Sequence, residues 1–239
     1  SQLGSLEDFS IEWKWDGIRG QIIKRNQSTI IWSRGEEVIT NQFPEILTDV
    51  PKLDNCVLDG EIVAWDRNIL PFSALQKRLG RKKITKKVLD ETPVKFLAFD
   101  CLELEGLDIR QESYEVRRGK LFGIIERTNS ERIVLSPEIE ASDWSEVSRA
   151  RAESRLKKVE GVMLKSKLSP YLIGRKKGYW WKWKVEPLSI DAVMIYAQAG
   201  SGRRASLFTD YTFAVWNHED QGGALLPIAK AYSGLTQIA

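Results

Sequence analysis

The chain has 239 residues, 42% apolar and 29% charged, a globular mix that excludes a wholly disordered chain and fits one large domain or two smaller ones. Two cysteines leave no room for a disulfide framework or a four-cysteine zinc site, and a single histidine argues against a His-based metal site or a Ser-His-Asp triad. Net charge is only +3, no apolar run nears the ~18–20 residues of a membrane span, no signal-peptide pattern opens the chain, and the odd count is nine tryptophans.

The alternation from Phe9 to Arg25, a turn at Asn26-Gln27 and the run Ser28 to Ser33 predict an antiparallel hairpin. Within it lies Glu12-Trp13-Lys14-Trp15-Asp16-Gly17-Ile18-Arg19. On a strand, Glu12, Lys14 and Asp16 share one face and Trp13 and Trp15 the other. A lysine between carboxylates on a tryptophan-backed strand is a candidate nucleophile, with nearby cations or a metal to disfavour its charged form. The segment also reads as an edge strand with a solvated charged face.

Phe43 to Leu47 predicts a short helix ending near Pro51, and Cys56 to Trp65 a strand. Asp59-Gly60-Glu61 inside that strand is either a hairpin turn or a place where Glu61 points with Val63 and Trp65 into a partly enclosed site. Pro71 to Leu79 has helical spacing and stops at Gly80. Val94 to Leu104 is a strong strand, with Phe99 either core or a stacking platform for a base. Ser113 caps a helix to about Arg127, with Val116, Leu121, Ile124 and Ile125 as its apolar stripe, and Asp143 caps another through Lys157.

Strands follow at Gly161 to Lys165 and Tyr179 to Val185. Glu160, before the first, is a carboxylate suited to Mg2+. Strict alternation sets Glu160 and Lys165 on opposite faces unless Gly161 marks a bulge. In Trp180-Trp181-Lys182-Trp183-Lys184, Lys182 and Lys184 share a face, and a phosphate between them would relieve their repulsion. A solvated lysine face over a tryptophan core is the other reading.

Glu186-Pro187 breaks the pattern, and short strands follow at Ile190 to Ala199, Phe213 to Trp216 and Leu225 to Ala231. The expected organisation is an α+β domain over 1–186 and part of a small β domain over 187–239. Basic clusters (Lys77, Arg78, Arg81, Lys82, Lys83, Lys86, Lys87; Arg175, Lys176, Lys177; Arg203, Arg204) suit phosphate backbones, or simply coat a solvated surface.

Each motif is ambiguous, but their order is not. Lys-x-Asp-Gly-x-Arg at 14–19, Ser-Arg-Gly at 33–35, Asp-Gly-Glu at 59–61, Phe-Asp at 99–100, Glu-Gly-x-Met-x-Lys at 160–165 and Trp-x-Lys-x-Lys at 180–184 form one series. The series resembles the covalent nucleotidyltransferases, most closely ATP-dependent DNA ligases. The stretches AQAGSGRRASLFTDY and AKAYSGLT resemble the start of that family's OB fold, especially in small bacterial ligases.

The resemblance implies an antiparallel-sheet nucleotidyltransferase (adenylation) domain and a partial OB fold. It implies that Lys14 attacks the ATP α-phosphate and carries AMP. Glu12 would sit at the adenine edge and Phe99 would stack on the ring. Arg19 and Glu61 would hold the ribose and phosphate region. Glu160 would bind Mg2+ or Mn2+, Lys182 and Lys184 the α-phosphate. Arg34, Lys165, Arg175, Arg203 and Arg204 would support phosphate or DNA contacts. AMP would pass to the 5′-phosphate of nicked double-stranded DNA, which the 3′-hydroxyl then seals. Such chemistry is positioning plus charge neutralisation, so it needs no histidine.

The family's upstream DNA-binding domain and the basic motif late in its OB fold have no match here. The resemblance therefore points to a truncated piece or a naturally short ligase, in which charging by ATP is weakened and sealing of a pre-adenylylated nick less so. It implies a monomeric, bacterial cytoplasmic protein on the nucleoid. The rival readings are an mRNA-capping-type guanylyltransferase and a nucleic-acid-binding module with lost catalysis. An NAD-dependent ligase, usually with a four-cysteine zinc site, fits less well.

Overall fold

The computed structural model describes residues 4–79, 81, 84–174, 176–187, 189–202, 205–217 and 223–232. In chain order its strands are β1 Phe9–Lys14, β2 Ile18–Arg25, β3 Ser28–Ser33, β4 Cys56–Asp66, β5 Asn68–Ile69, β6 Val94–Leu104, β7 Leu107–Asp108, β8 Ile133–Leu135, β9 Gly161–Ser166, β10 Trp180–Lys184, β11 Val193–Ala199, β12 Phe208–Asn217 and β13 Ala224–Tyr232. Its α-helices are α1 Pro44–Leu47, α2 Phe72–Gln76, α3 Lys86–Glu91, α4 Tyr114–Thr128 and α5 Trp144–Ala152. The chain divides into two compact units, Ser1–Val185 and Glu186–Ala239.

The first unit is built on two sheets. The larger runs β3-β2-β4-β6-β7, with β5 beside β4 and β8 beside β6. Its pairings are antiparallel except β6 with β8, which is parallel. The β2–β3 hairpin closes as expected at Asn26-Gln27, where Arg25 faces Ser28 and Asn26 takes a positive φ of 49°. Ile22, Ile31, Phe43, Ile46, Leu58, Ile62, Phe96, Leu121 and Ile124 form its core. The smaller sheet is β1-β9-β10, all antiparallel.

The alternation from Phe9 to Arg25 is therefore not one hairpin. The strand stops at Lys14, and Trp15 to Gly17 carry the chain from the smaller sheet to the larger. Gly17 permits the crossing, because a Cβ there would stand 2.3 Å from the Ile62 carbonyl oxygen.

The smaller sheet keeps its two faces apart. Ile11, Trp13, Val162, Leu164, Trp181 and Trp183 lie on one face and pack with Phe9 and with Val147 of α5. The opposite face carries Glu12, Lys14, Lys165, Trp180, Lys182 and Lys184. The expected tryptophan backing holds for Trp13, Trp181 and Trp183. Trp15 lies beyond the strand end, in a separate cluster with Val63, Ile69, Leu97 and Val159, and its indole N–H donates to Ser136 Oγ at 2.9 Å.

Helix caps follow the sequence. Ser113 accepts from the Val116 N–H at the start of α4, and Asp143 from the Glu146 N–H at the start of α5. Val116, however, is exposed, and the buried face of α4 is Tyr114, Arg117, Arg118, Leu121, Ile124 and Thr128. Helix α5 ends at Ala152 and passes into a 3-10 turn, Glu153–Arg155, short of Lys157. Arg78 is not part of a surface phosphate patch: it is buried, ion-paired with Glu45 and stacked 5.0 Å over the Phe43 ring.

The second unit, by itself, is an antiparallel meander in the order β11-β12-β13. Among its described residues only Thr209 and Ala214 are buried.

Candidate functional site

The charged face of the smaller sheet meets Phe99 of β6 and Tyr114 of α4, and the candidate residues converge there. Lys14 Nζ lies 2.7 Å from Glu160 Oε2, and Lys184 Nζ lies 2.8 Å from the same oxygen. One carboxylate thus bridges two ammonium groups from strands on either side of β9. Burial alone would raise the Glu160 carboxyl, but hydrogen bonds and charge from Lys14 and Lys184 hold it below its ordinary range.

Glu160 reaches this place from outside the strand. Its N–H donates to the Lys14 carbonyl at 2.8 Å, and its carbonyl accepts from Val185 at 3.1 Å. Gly161 then begins β9 with φ +146°. A Cβ on Gly161 would lie 2.4 Å from the Trp183 carbonyl oxygen. Replacing Gly161 by alanine is therefore expected to cost at least about 1–3 kcal/mol of stability from backbone strain alone. Urea denaturation checks it: a midpoint equal to the parent's would show that β9 and β10 tolerate the Cβ.

The expectation that Glu160 and Lys165 lie on opposite faces is corrected here. The turn at Gly161 brings the Glu160 carboxylate round to the face that Lys165 occupies. Lys165 itself faces inward, 2% exposed, with Nζ 2.8 Å from Glu12 Oε1. Three rings surround that ammonium, their centroids 4.2 Å (Phe99), 4.6 Å (Trp180) and 5.0 Å (Tyr114) away. Glu12 is also 2% exposed and accepts a hydrogen bond from the Tyr114 hydroxyl.

Phe99 owes its position to a bulge. In the β4–β6 ladder Asp59 faces Asp100 and Gly60 faces Ala98, so Phe99 is the extra residue, turned from the core toward Lys165. Gly60, beside the bulge, leaves room for the Phe96 ring, because a Cβ there would stand 2.5 Å from it. Asp59-Gly60 is thus no hairpin turn: β4 runs straight through it. Asp100 is locked by Arg117 through two bonds of 2.8 and 2.9 Å, and both residues are fully buried.

Arg19 pairs with Asp59 rather than Glu61, at 2.6 and 3.2 Å, and Tyr171 bonds both. Glu61 is half-buried, and burial pushes its carboxyl up to about 8, against the pull of Lys14 and Arg19. Its ordinary value is 4.5, so between about 4.5 and about 8 the folded protein keeps a proton that the unfolded chain gives up. Glu61 therefore makes stability fall as pH rises through that window. The Glu61→Gln variant should gain stability over the parent between about pH 5 and about pH 9, a gap that denaturation at the two pH values measures. Parallel curves for parent and variant would sink the assignment.

Arg34 is exposed, its N–H bonded to the Arg19 carbonyl at 3.1 Å. Both line a cavity of about 630 Å³ with Trp32, Asp59 and Tyr171, beside the Lys14 cluster rather than on it. Lys182 is exposed on the lysine face. Arg175, Arg203 and Arg204 fall outside the described residues.

Tyr114, Asp100, Arg117, Asp59 and Tyr171 build this site without having been singled out as site residues. Asp59 and Asp100 are carried inside the Asp-Gly-Glu and Phe-Asp motifs, and Tyr114 stands directly after the cap Ser113.

No group of three or more His, Cys, Asp or Glu side chains able to hold a metal occurs among the described residues. The Glu160 carboxylate fits a hard cation that takes one or two carboxylates and completes its shell with phosphate oxygens and water.

The family model described as ATP dependent DNA ligase domain matches residues 3–184. The chain is 35% identical to a probable DNA ligase of Koribacter versatilis over 97% of its own length and 43% of the relative's. It is 32% identical to DNA ligase 1 of Korarchaeum cryptofilum, over 99% and 43%. It thus spans less than half the length of these relatives. Among solved structures it resembles a mycobacterial DNA ligase D complexed with ATP and MES, with TM-score 0.60, 25% identity, and 96% and 68% of the two chains covered. A Lig E DNA ligase gives TM-score 0.67 at 18% identity, covering 98% and 81%.

Proposed function

This chain belongs to the ATP-dependent DNA ligase family, and from that premise we propose that it carries the AMP-transfer chemistry of nick sealing. Its first unit is then the nucleotidyltransferase (adenylation) domain, here assigned to 1–186, and its second the N-terminal part of an OB fold, 187–239. The observation that carries the reading is the Glu160 carboxylate holding Lys14 and Lys184 together on one sheet face.

Lys14 Nζ, once deprotonated, attacks the α-phosphorus of ATP. An N–P bond forms, the α–β phosphoanhydride bond breaks, and pyrophosphate leaves. Lys184 and Lys182 neutralise the phosphoryl oxygens from one side. Glu12 meets the Watson–Crick edge of the base, Phe99 stacks on the ring, and Arg19 and Glu61 hold the ribose and phosphate region. A divalent cation, Mg2+ or Mn2+, would be held by Glu160 and would supply charge neutralisation at the phosphates. Arg34 and Arg175 contact phosphate or DNA in this reading, as do Arg203 and Arg204. The DNA 5′-phosphate then takes the AMP, and the 3′-hydroxyl displaces it. The substrate is nicked double-stranded DNA, the protein acts as a monomer, and its place is with the DNA of a bacterial cytoplasm.

The test is intact mass after incubation with ATP and Mg2+, followed by sealing of a nicked duplex. A gain of one AMP and a sealed product support the reading. Label from GTP alone would instead assign a capping-type guanylyltransferase. DNA binding with no covalent nucleotide would assign a binding module.

A further inference from the structure

The first unit carries a second aromatic cleft, and the AMP-transfer chemistry uses none of its side chains. It encloses about 430 Å³ and is lined by Trp13, Trp15 and Trp65 with Ile69 and Val159. Trp15, Ile69 and Val159 are buried in one cluster, whereas Trp13 and Trp65 are only partly buried. Trp13 stands on the tryptophan face of the smaller sheet, opposite the lysines. Two backbone turns build the walls. One, at Arg67 with φ 53°, folds β5 back on β4, so that Ile69 faces Trp65 and Asn68 stays exposed at the edge. The other, at Lys158 with φ 54°, precedes β9, and Lys158 Nζ donates to the Ile69 carbonyl at 3.3 Å, tying the walls together. The charge here is positive. Lys157 Nζ stands 5.4 Å over the Trp13 ring and Lys95 Nζ 5.1 Å over the Trp65 ring. The Lys157 pair with Glu153 is loose, at 3.9 Å, and no Asp or Glu lines the cleft among the described residues.

We propose that this cleft binds an unpaired segment of nucleic-acid strand, with bases stacked on Trp13 and Trp65 and phosphates met by Lys157 and Lys158. Aromatic platforms beside cations are how proteins hold single strands, and they read little sequence because every base has a stacking face. An apolar ligand would leave the lysines unused, and a bare phosphate would leave the indoles unused. Magnitudes favour the exchange. An ammonium over an exposed ring is worth a factor of about 2 to 5. A base stacked on an aromatic side chain is worth a factor of about 5 to 150. Lys157 therefore yields the Trp13 ring to a base and turns to the adjoining phosphate. In a duplex the bases stack on one another, so paired strands have no free faces to offer. Trp13 and Trp15 flank Lys14, and Val159 precedes Glu160, so the cleft and the nucleotide site share the same chain segments. The inference rests on DNA as the substrate proposed above, but not on the transfer of AMP.

The probe is an oligothymidylate of about 12 nucleotides carrying one iodouracil, mixed with the full chain and irradiated. The crosslink should map to Trp13 or Trp65, and should vanish when a complementary strand pairs the probe. Trp65→Ala should weaken binding of the probe by about fivefold or more. Lys157→Gln should reduce the slope of log affinity against log salt by about 0.7, the share of one phosphate contact on a single strand. Lys120→Gln, an equal loss of charge on α4, should leave that slope unchanged. Both cleft variants should take up AMP as the parent does. If Trp65→Ala does not fold, Lys157→Gln carries the test, because its side chain is exposed. A crosslink that maps outside the cleft overturns the inference. So does affinity within twofold of the parent in a folded Trp65→Ala protein, or an unchanged salt slope in Lys157→Gln. The two ideas fail separately: no covalent AMP on a parent that crosslinks through the cleft defeats only the AMP-transfer reading, whereas AMP on the parent without that crosslink defeats only this one.

Discussion

Lys14→Ala loses the covalent AMP altogether, with a fall in nucleotidyl transfer of about 10⁴-fold or more, the scale seen when a nucleophile is deleted. Three further lysines share the sheet face, and none is placed to substitute. Lys165 is buried against Glu12. Lys184 shares the Glu160 oxygen but lies on the far side of β9. Lys182 is exposed two residues away from it. The structural cost should be small, since the Lys14–Glu160 pair is part-exposed and such pairs contribute about 0–1 kcal/mol. Thermal unfolding of the variant should therefore stay near the parent's while intact mass shows no adduct. An adduct that survives in a folded Lys14→Ala protein would remove the nucleophile assignment.

Arg117→Met is expected to be the most destabilising single change, about 3–5 kcal/mol by urea denaturation. Both Arg117 and Asp100 are fully buried, so neither charge has water to fall back on. Arg117 Nη1 also donates to the Ser169 carbonyl at 3.0 Å, and Asp100 accepts from the Cys101 N–H at 2.9 Å. Removing the guanidinium takes the paired cation from the Asp100 carboxylate and a donor from the carbonyls of Glu112 and Ser169. Pairing the change with Asp100→Leu should recover part of the loss, because a buried pair replaced whole by apolar groups is often neutral. No recovery would mean that the hydrogen bonds to the backbone dominate. Phe99 adjoins Asp100, so the single variant should also bind nucleotide more weakly.

What the sequence disclosed, it disclosed through local patterns. Val94–Leu104 and Ser28–Ser33 appear with the limits their apolar runs give, because strand propensity and turn residues act over a few positions. The tryptophan face opposite the lysines was legible from alternation alone. The rest depends on partners far along the chain. The passage from one sheet to the other at Trp15–Gly17 leaves the alternation unbroken, so no pattern marks it. The side taken by Lys165 relative to Glu160 turns on the conformation of one glycine. Arg117 reads as an ordinary helical arginine until Asp100 is set beside it, and Phe99 as core until the bulge is counted. Short strands such as Asn68–Ile69 and Ile133–Leu135, and the charged helix Lys86–Glu91, carry too few apolar residues to announce themselves.

The pairing of β1 with β9 also has a kinetic meaning. Lys14 is opposite Gly161, across almost the whole length of the first unit, while every strand of the larger sheet lies between them. Closing so long a loop is entropically costly, and contacts of high sequence separation form late. The β2–β3 hairpin and its sheet neighbours can assemble while β9 and β10 are still being synthesised. A nascent chain therefore carries its nucleophile before the strands that seat it, and acquires a place for it only near the end of the unit. Fragments ending before Gly161 would hold the larger sheet and lack the partners of Lys14.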